Sequence, residues 1–327
     1  MKKLLLGIGI TLSICAGAQD FHLSQYDAAA LNANPGMTGV FKGDYRIHGH
    51  FRTQWMAIAT NPFTTGLISF DANRGKWGWG MQLANFRAGT GAYNVISILP
   101  SGAYKIPLGK KKFSFFSLGA QAGIFQKSIK MSQLTFGDQY SAYNGGQFAN
   151  PTQEAFGDAN KLNLDVNIGV MYYYAKPNVR VNPFGGVTMF HVNRPSESFI
   201  QDNANKLPFR YQAIAGARVV INNKIAVIPK VYYQHQQKAN ELQFSALGQF
   251  YLESYDIFLL GGGTYRNKDA AILEFGVKYG KWTGRFSYDI NTSTLNNATN
   301  GRGGSEISLT YIFNRPNPNP VPTCPKL

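Results

Sequence analysis

The side chains in this sequence best suited to chemistry are its five histidines. They are His22, His48, His50, His191 and His235. His48 and His50 are two residues apart, so both side chains would lie on the same face of a β-strand. Such a pair could hold a metal ion or act as a general base beside a serine, although no third ligand is evident. Arg46 and Arg52 share that face, and two cations there disfavour an imidazolium and provide no acceptor to orient the ring.

Sequence motifs for catalysis and cofactor binding are absent. The chain has no CxxC, no HExxH, no zinc-ligand spacing and no GxxxxGKS or GxxxxGKT phosphate loop. The run Gly261–Gly263 lies within a strand pattern and indicates a bend or close packing. Cys15 falls in a predicted export signal, which leaves Cys324 without an intramolecular disulfide partner. We therefore predict no enzyme activity, no cofactor and no catalytic or metal-binding residue.

Alternation of apolar and polar residues organises the chain. Phe286, Tyr288 and Ile290, for example, alternate with polar residues at 285, 287 and 289. Fourteen such segments are each expected to form a strand with one apolar and one polar face. They are Asp44–Trp55, Phe63–Ala72, Trp77–Ala88, Tyr93–Ile106, Phe113–Ile129, Lys161–Ala175, Val179–Val192, Pro208–Ile221, Ile225–Gln236, Glu241–Leu252, Asp256–Arg266, Ala270–Tyr279, Trp282–Asn291 and Ser305–Phe313. A length of about 10 to 14 residues suits tilted membrane strands better than ordinary strands.

Two further features favour a membrane barrel over a soluble sandwich. Aromatic residues cluster at the predicted strand ends, as in the interfacial girdles of membrane barrels. The connections after even-numbered strands are short, whereas those after odd-numbered strands include long segments at 130–160, 193–207 and 292–304. Short turns on one side and long loops on the other are typical of outer-membrane barrels. The sequence thus predicts an all-β fold, a transmembrane antiparallel β-barrel of about 14 strands with both termini in the periplasm.

The two ends of the chain have their own composition. Two lysines, an apolar run and an A-x-A site indicate a cleavable export signal over residues 1–18. Residues 19–43 are expected either to plug the lumen of the barrel or to lie beneath it, and the barrel itself is expected over residues 44–313. Residues 314–327 contain five prolines and are predicted to form an extended or disordered periplasmic tail.

The chain is strongly basic. Its formal net charge is +15, which falls to +13 without Lys2 and Lys3 of the signal. Because we expect the chain to be exported, acidic headgroups or an acidic partner are better targets for this charge than nucleic acid. Lys110, Lys111 and Lys112 occupy a predicted periplasmic turn. They are either solvated turn residues or candidates for docking an acidic periplasmic partner.

Charged residues of both signs lie on the predicted polar faces and would point into the lumen. The candidates are Arg46, Arg52, Asp165, Arg210, Arg218, Glu274, Arg285 and Asp289. Such residues could brace the barrel with ion pairs or line a water-filled pore. Fourteen strands give a bore between that of a filled eight-stranded barrel and that of an open porin.

Several short motifs resemble the PorP/SprF family. They are Gln19–Tyr26, Asn34–Gly39, Tyr45–Arg46, Gln54–Trp55, Pro62–Thr65, Trp77–Gly80 and Ser101–Tyr104. The resemblance implies an outer-membrane barrel of the type IX secretion system of Bacteroidota, linked to export or surface attachment of large proteins such as gliding adhesins. A member typically serves a cargo whose C-terminal signal domain it recognises. No catalytic residue is carried over.

Two functions of different classes therefore remain open. In the first, the chain is a non-enzymatic, integral outer-membrane component that binds a secreted cargo protein and other type IX components, and no nucleic acid. In the second, it is a solute channel of the porin or fatty-acid-transporter type. A structural adhesin is a third interpretation, which depends on the loop at 130–160.

Overall fold

The chain forms a closed antiparallel β-barrel of fourteen strands. The computed structural model describes residues 20–56, 61–89, 93–111, 113–141, 147–148, 150–151, 159–196, 198–199, 205–294 and 296–315. The barrel strands are β1 (Tyr45–Gln54), β2 (Phe63–Arg74), β3 (Trp77–Ala88), β4 (Tyr93–Leu108), β5 (Ser114–Ile129), β8 (Ala159–Tyr174), β9 (Val181–Phe190), β10 (Arg210–Val220), β11 (Ile225–Gln236), β12 (Ala239–Leu252), β13 (Ile257–Arg266), β14 (Ala270–Tyr279), β15 (Trp282–Asn291) and β16 (Arg302–Phe313). Neighbours in sequence pair with each other, β5 pairs with β8, and β1 pairs with β16 to close the ring. The predicted fold class is confirmed.

The predicted strand limits agree with the structure to within two residues except at β16. The limits of β3, β11, β14 and β15 coincide with the prediction. Strand β16 begins at Arg302 rather than Ser305, because its pairing with β15 continues past a bulge to Ile290. The predicted loop at 130–160 also contains a short hairpin, β6 (Tyr140–Ser141) and β7 (Gln147–Phe148).

The outer face of the barrel is apolar and the inner face is polar. Leu164 and Phe275 are 66% and 61% exposed, whereas Asn167 and Glu274 on the same two strands are buried inside the barrel. This arrangement inverts that of a soluble protein. It fits a sheet whose backbone is fully paired and whose outer side chains meet lipid.

Paired aromatic rings surround the short-turn end of the barrel. The ring centroids of Trp282 and Tyr311 are 4.3 Å apart, and those of Trp77 and Tyr104 are 4.7 Å apart. Trp77 and Trp282 begin their strands and are about half exposed. Rings with a polar edge suit the boundary between hydrocarbon and headgroups, so these pairs form one interfacial girdle.

Residues 20–43 fold back into the lumen, and we call this segment the plug. It contains a four-residue helix, Ala30–Ala33, and a 3-10 turn, Pro35–Met37. The turn begins at Asn34, whose Oδ1 accepts a hydrogen bond of 2.7 Å from the Gly36 amide. Leu31 and Asn34 are each 1% exposed. The segment therefore packs inside the ring of strands.

Some predicted segments lie outside the described residues, namely the export signal at 1–18 and most of the tail, 316–327. Among the residues that are described, no helix has the length and apolar character needed to cross a membrane.

Candidate functional site in the plugged lumen

Glycines on the barrel wall let the backbone of the plug approach closely. A Cβ atom added to Gly119 of β5 would overlap the carbonyl oxygen of Pro35, and one added to Gly169 of β8 would overlap the Asn34 side chain. The side-chain Nδ2 atom of Asn34 also donates to the backbone oxygens of Val170 on β8 and Val187 on β9, each at 3.2 Å. The 3-10 turn of the plug therefore rests directly on strand backbone.

The densest group of charges, the Arg52 cluster, comprises Ser24, Arg52, Arg266, Asp289 and Glu306. Arg52 pairs with Glu306 and, at 3.0 Å, with Asp289, while Arg266 approaches Asp289 at 3.3 Å. The Ser24 hydroxyl of the plug donates to Asp289 at 2.8 Å, and its amide nitrogen donates to Glu306. Arg52 and Glu306 are each 1% exposed. The plug thus completes a buried network whose other members come from four strands.

Asp27 of the plug forms a second ionic contact with the wall. Its carboxylate lies 2.5 Å from the Lys230 Nζ atom and 2.8 Å from the Arg285 guanidinium, which also pairs with Glu274. Burial alone would raise the pKa of Asp27, but the two cations hold it well below its usual range. Asp27 therefore carries a negative charge and compensates two wall cations.

The N-terminal end of the described plug is bound near the long-loop side. The Asp20 carboxylate lies 2.7 Å from His191 Nε2 and 3.2 Å from Arg210. His191 Nδ1 lies 2.8 Å from Asp165. Burial opposes protonation of the imidazole, but Asp20 and Asp165 outweigh it and raise the pKa of His191 to about 9. At neutral pH this histidine is a cation held between two carboxylates.

The C-terminal end of the plug is fixed by a fourth polar contact. Asp71 pairs with Arg46 at 2.7 Å and accepts a hydrogen bond of 2.8 Å from the Gly39 amide. The Thr38 hydroxyl donates to the Ser101 hydroxyl at 3.0 Å. The plug is therefore held at both ends as well as at its centre.

Apolar contacts supplement these polar ones. Tyr26 stacks on Tyr232 with centroids 4.4 Å apart, and the Tyr26 hydroxyl lies 2.9 Å from the Ser245 hydroxyl. Phe21 stacks on Phe86 at 5.9 Å. Each contact joins a plug ring to an inward-facing wall ring, which adds apolar burial and a preferred ring geometry.

The structure places the eight predicted lumen charges in two environments. Seven belong to the ion-pair groups described above: Arg46, Arg52, Asp165, Arg210, Glu274, Arg285 and Asp289. The eighth, Arg218, is exposed at the short-turn mouth. Lys110 and Lys111 are exposed in the turn between β4 and β5, and Lys112 lies outside the described residues.

Sequence reasoning missed several members of the network. On the wall these are Asp71, Lys230, Arg266, Glu306 and also Glu241, which lies 3.7 Å from Arg266. On the plug they are Asp20, Ser24 and Asp27. Each of these wall residues lies an even number of positions from other polar residues of its predicted strand, and so on the same face. Strict alternation could therefore have identified them. No comparable signal marks the plug residues, because that segment has no strand period.

The histidine pair, His48 and His50, connects β1 to the neighbouring strand β16. His50 Nε2 lies 3.0 Å from Glu306, and His48 Nδ1 lies 2.9 Å from the Thr310 hydroxyl. Within the described part of the chain, no cluster of three or more His, Cys, Asp or Glu side chains could hold a metal ion. Both imidazole rings therefore lie within hydrogen-bond distance of side chains on β16.

A cavity of about 370 Å³ remains in the lumen beside the plug. Aromatic side chains such as Phe86, Phe125 and Phe190 line it together with the charged groups around Asp20. The cavity is large enough for a small organic molecule.

Comparison with known proteins identifies both a family and a shared architecture. A family model described as "Type IX secretion system membrane protein PorP/SprF" matches residues 16–311. No curated protein sequence matches the chain.

Similar solved structures are outer-membrane channels of low sequence identity. The Ralstonia pickettii toluene transporter TbuX is 12% identical, with 88% of this chain and 94% of that chain covered and a TM-score of 0.50. The TodX monoaromatic hydrocarbon channel deltaS2 mutant is 11% identical, with 88% of this chain and 94% of that chain covered and a TM-score of 0.50. A Pseudomonas aeruginosa FadL homologue is 10% identical, with 87% of this chain and 94% of that chain covered and a TM-score of 0.47. At such identities the likeness concerns the barrel fold alone.

Proposed function

This chain belongs to the PorP/SprF family of type IX secretion system membrane proteins, and from that membership we propose that it is a non-enzymatic component that binds a large exported protein. It would help to export that protein or to hold it at the cell surface. The resemblance expected from the sequence motifs is confirmed at the level of the family. The cargo would be gliding-adhesin-like, with a C-terminal signal domain that the barrel recognises.

The plug is the observation that carries this proposal. Four polar contact groups, two stacked ring pairs and close backbone packing hold it across the lumen. A barrel filled in this way lacks the wide aqueous bore of a porin and suits a rigid membrane-embedded platform. Cargo would bind to the loops or to an exposed strand edge, where β-augmentation is one available mode.

The sidedness of the barrel is part of the proposal. Both Tyr45 and Phe313 lie at the short-turn end, since they pair with each other across β1 and β16. By the usual pattern of outer-membrane barrels this end faces the periplasm. Lys110, Lys111 and Lys112 would then be presented to the periplasmic parts of the secretion machine.

Affinity purification tests the proposed function. The protein, tagged in a long loop, would be extracted from its native outer membrane in mild detergent, and the copurifying proteins would be identified by mass spectrometry. We expect a very large exported protein and other type IX components. A second barrel of the same membrane, tagged in the same manner, is the control. Recovery of the same proteins with both barrels, or of no exported protein, would contradict the proposal.

The cavity beside the plug favours one alternative, a channel for small apolar solutes. Its aromatic lining is the observation in support, and the toluene transporter TbuX shares the barrel fold. Planar-bilayer recordings separate the two functions. A platform gives no steady conductance, whereas a channel gives a stable unitary conductance or solute flux.

A further inference from the structure

A second cavity, of about 680 Å³, opens at the short-turn end of the barrel. The turns at 176–180 and 222–224 border it, together with Arg218, Gln249 and Phe258. These three side chains have the inward strand position, since Ile214, Leu247 and Leu260 on the same strands are buried at even spacings from them. We call this cavity the turn-side vestibule. It faces the lumen rather than the lipid.

The charges of the turn-side vestibule are unbalanced. Four cations border it, Lys176, Arg180, Arg218 and Lys224, and the described residues that line it include no Asp or Glu. Lys224 alone has a carboxylate nearby, Glu253 at 3.1 Å, and both side chains of that pair are more than half exposed. In the part of the chain that the structure describes, neither Arg180 nor Arg218 forms an ion pair.

The centre of the lumen differs from the vestibule in its balance of charge. Among the residues that the structure describes there, each buried arginine lies against one to three carboxylates, so the wall and the plug compensate each other. The vestibule lies at the other extreme, because positive charge is concentrated in a concave surface that would focus its field outward. Such a surface attracts an anionic group from solution.

The remaining lining suits a polypeptide. Amide side chains at Asn178 and Gln249 can donate to and accept from peptide groups, while Val220 and Phe258 provide an apolar wall. Lipid headgroups lie outside the barrel, and the inward orientation separates them from Arg218 and Gln249. The cavity is also roomier than a single small inorganic anion requires.

We propose that the turn-side vestibule binds an acidic polypeptide segment of a partner protein, presented from the short-turn side of the membrane. This inference deepens the proposed function and rests on it, because the secretion machinery is placed on that side. Arg180 and Arg218 would pair with carboxylates of the segment, and the neighbouring amides would bind its backbone.

Peptide binding to the full-length protein in detergent micelles tests this inference. The probes are a fluorescent decapeptide of alternating Glu and Gly and its Lys and Gly counterpart. The vestibule variant carries Arg180→Gln and Arg218→Gln. The matched control carries Arg87→Gln and Arg302→Gln, which remove two exposed arginines at the long-loop end. Heat-modifiable migration on SDS gels verifies that both variants remain folded.

We expect the acidic probe, and not the basic one, to bind the wild type, with an affinity that falls as salt is added. The vestibule variant should weaken that binding about tenfold, as loss of two partly exposed charge pairs implies, and the control should not. Arg180→Glu with Arg218→Glu should bind the basic probe instead.

Three results would overturn the inference. They are equal weakening in the vestibule and control variants, no binding of the acidic probe, and displacement of that probe by an equimolar amount of inorganic phosphate. Failure of the proposed function is a separate outcome. If purification recovers no secretion component while probe binding still depends on Arg180 and Arg218, the vestibule stands. If cargo copurifies but binding of the probe does not depend on these arginines, only the inference about the vestibule is contradicted.

Discussion

At the scale of single residues, the lumen is organised around buried arginines. Arg52 lies between Glu306 and Asp289 and is itself almost inaccessible. Burial of an unpaired charge costs free energy. Each charged residue of this group therefore lowers the cost of burying its partners inside the barrel. Ser24 of the plug joins this group directly, which links the stability of the wall to the position of the plug.

Replacement of Arg52 should therefore be costly. Arg52→Met keeps much of the volume but leaves Glu306 and Asp289 short of positive charge, and we expect a loss of about 3–5 kcal/mol in the free energy of unfolding. The measurement is the urea dependence of heat-modifiable migration. Arg87→Met, at an exposed position, serves as control and should change nothing. Adding Glu306→Gln to Arg52→Met should recover part of the loss, and an unchanged stability of the single variant would contradict this role.

His191 should make attachment of the plug dependent on pH. Its pKa is raised to about 9, above the ordinary value of 6.5. The stability that its positive charge contributes is fully present below about pH 6.5 and is lost as the pH rises through 9. We expect the thermal stability of the wild type to fall toward that of His191→Gln between pH 7 and 10. A difference between the two proteins that stays constant over this range would show that the imidazole is not charged.

Sequence alone could predict which wall residues face inward, but not their partners. Arg52 and Glu306 lie 254 residues apart and meet only because β1 and β16 close the ring in one register. Alternation fixes a face, whereas pairing depends on register and closure. Asp20 and Asp27 had no periodic signal at all, so their contacts with the wall became visible only in three dimensions.

At the scale of elements, the plug and the glycines beneath it form a unit. Gly119→Ala would drive a methyl group into the Pro35 carbonyl and should lift the 3-10 turn from the wall. Gly66→Ala is the matched control, since nothing lies within 4 Å of a Cβ atom added there. Leu31, 1% exposed, reports the position of the plug when it is replaced by cysteine in a Cys324→Ser background.

Maleimide labelling of that cysteine is the readout. We expect slow labelling in the parent and in the Gly66→Ala protein, and labelling at least about tenfold faster with Gly119→Ala, because a displaced plug exposes residue 31 to water. Equal rates in all three proteins would mean that contact with Gly119 does not hold the plug.

The strands and the plug differed in how far they could be predicted. Regular alternation gave the strands to within two residues in most cases, since each strand buries one face and presents the other to lipid. The Gly-rich start of β16 was missed, because Arg302–Gly304 reads as a loop and pairs only past a bulge. The plug could be recognised as a separate segment, yet its place depended on partners distant in sequence.

At the scale of the whole molecule, the short turns and long loops define two unlike ends. If the short-turn end faces the periplasm, Lys111→Cys in the Cys324→Ser background should react with an impermeant maleimide only after the outer membrane is opened. Ala298→Cys, at an exposed position in the short helix Asn296–Thr299 between β15 and β16, should react in intact cells. The reverse result would place the termini of the barrel at the cell surface and would invert the proposed orientation.

A closed lumen is the central claim, and locking the plug tests it most directly. The Thr38 and Ser101 hydroxyls are 3.0 Å apart, so Thr38→Cys with Ser101→Cys, in the Cys324→Ser background, should form a disulfide between the plug and β4. Surface display of the copurifying cargo would be measured in cells with the disulfide oxidised and then reduced, beside each single-cysteine protein. A platform that works with its plug in place keeps wild-type display when locked. Loss of display on oxidation, with recovery on reduction, would show that the plug must move and would contradict the claim.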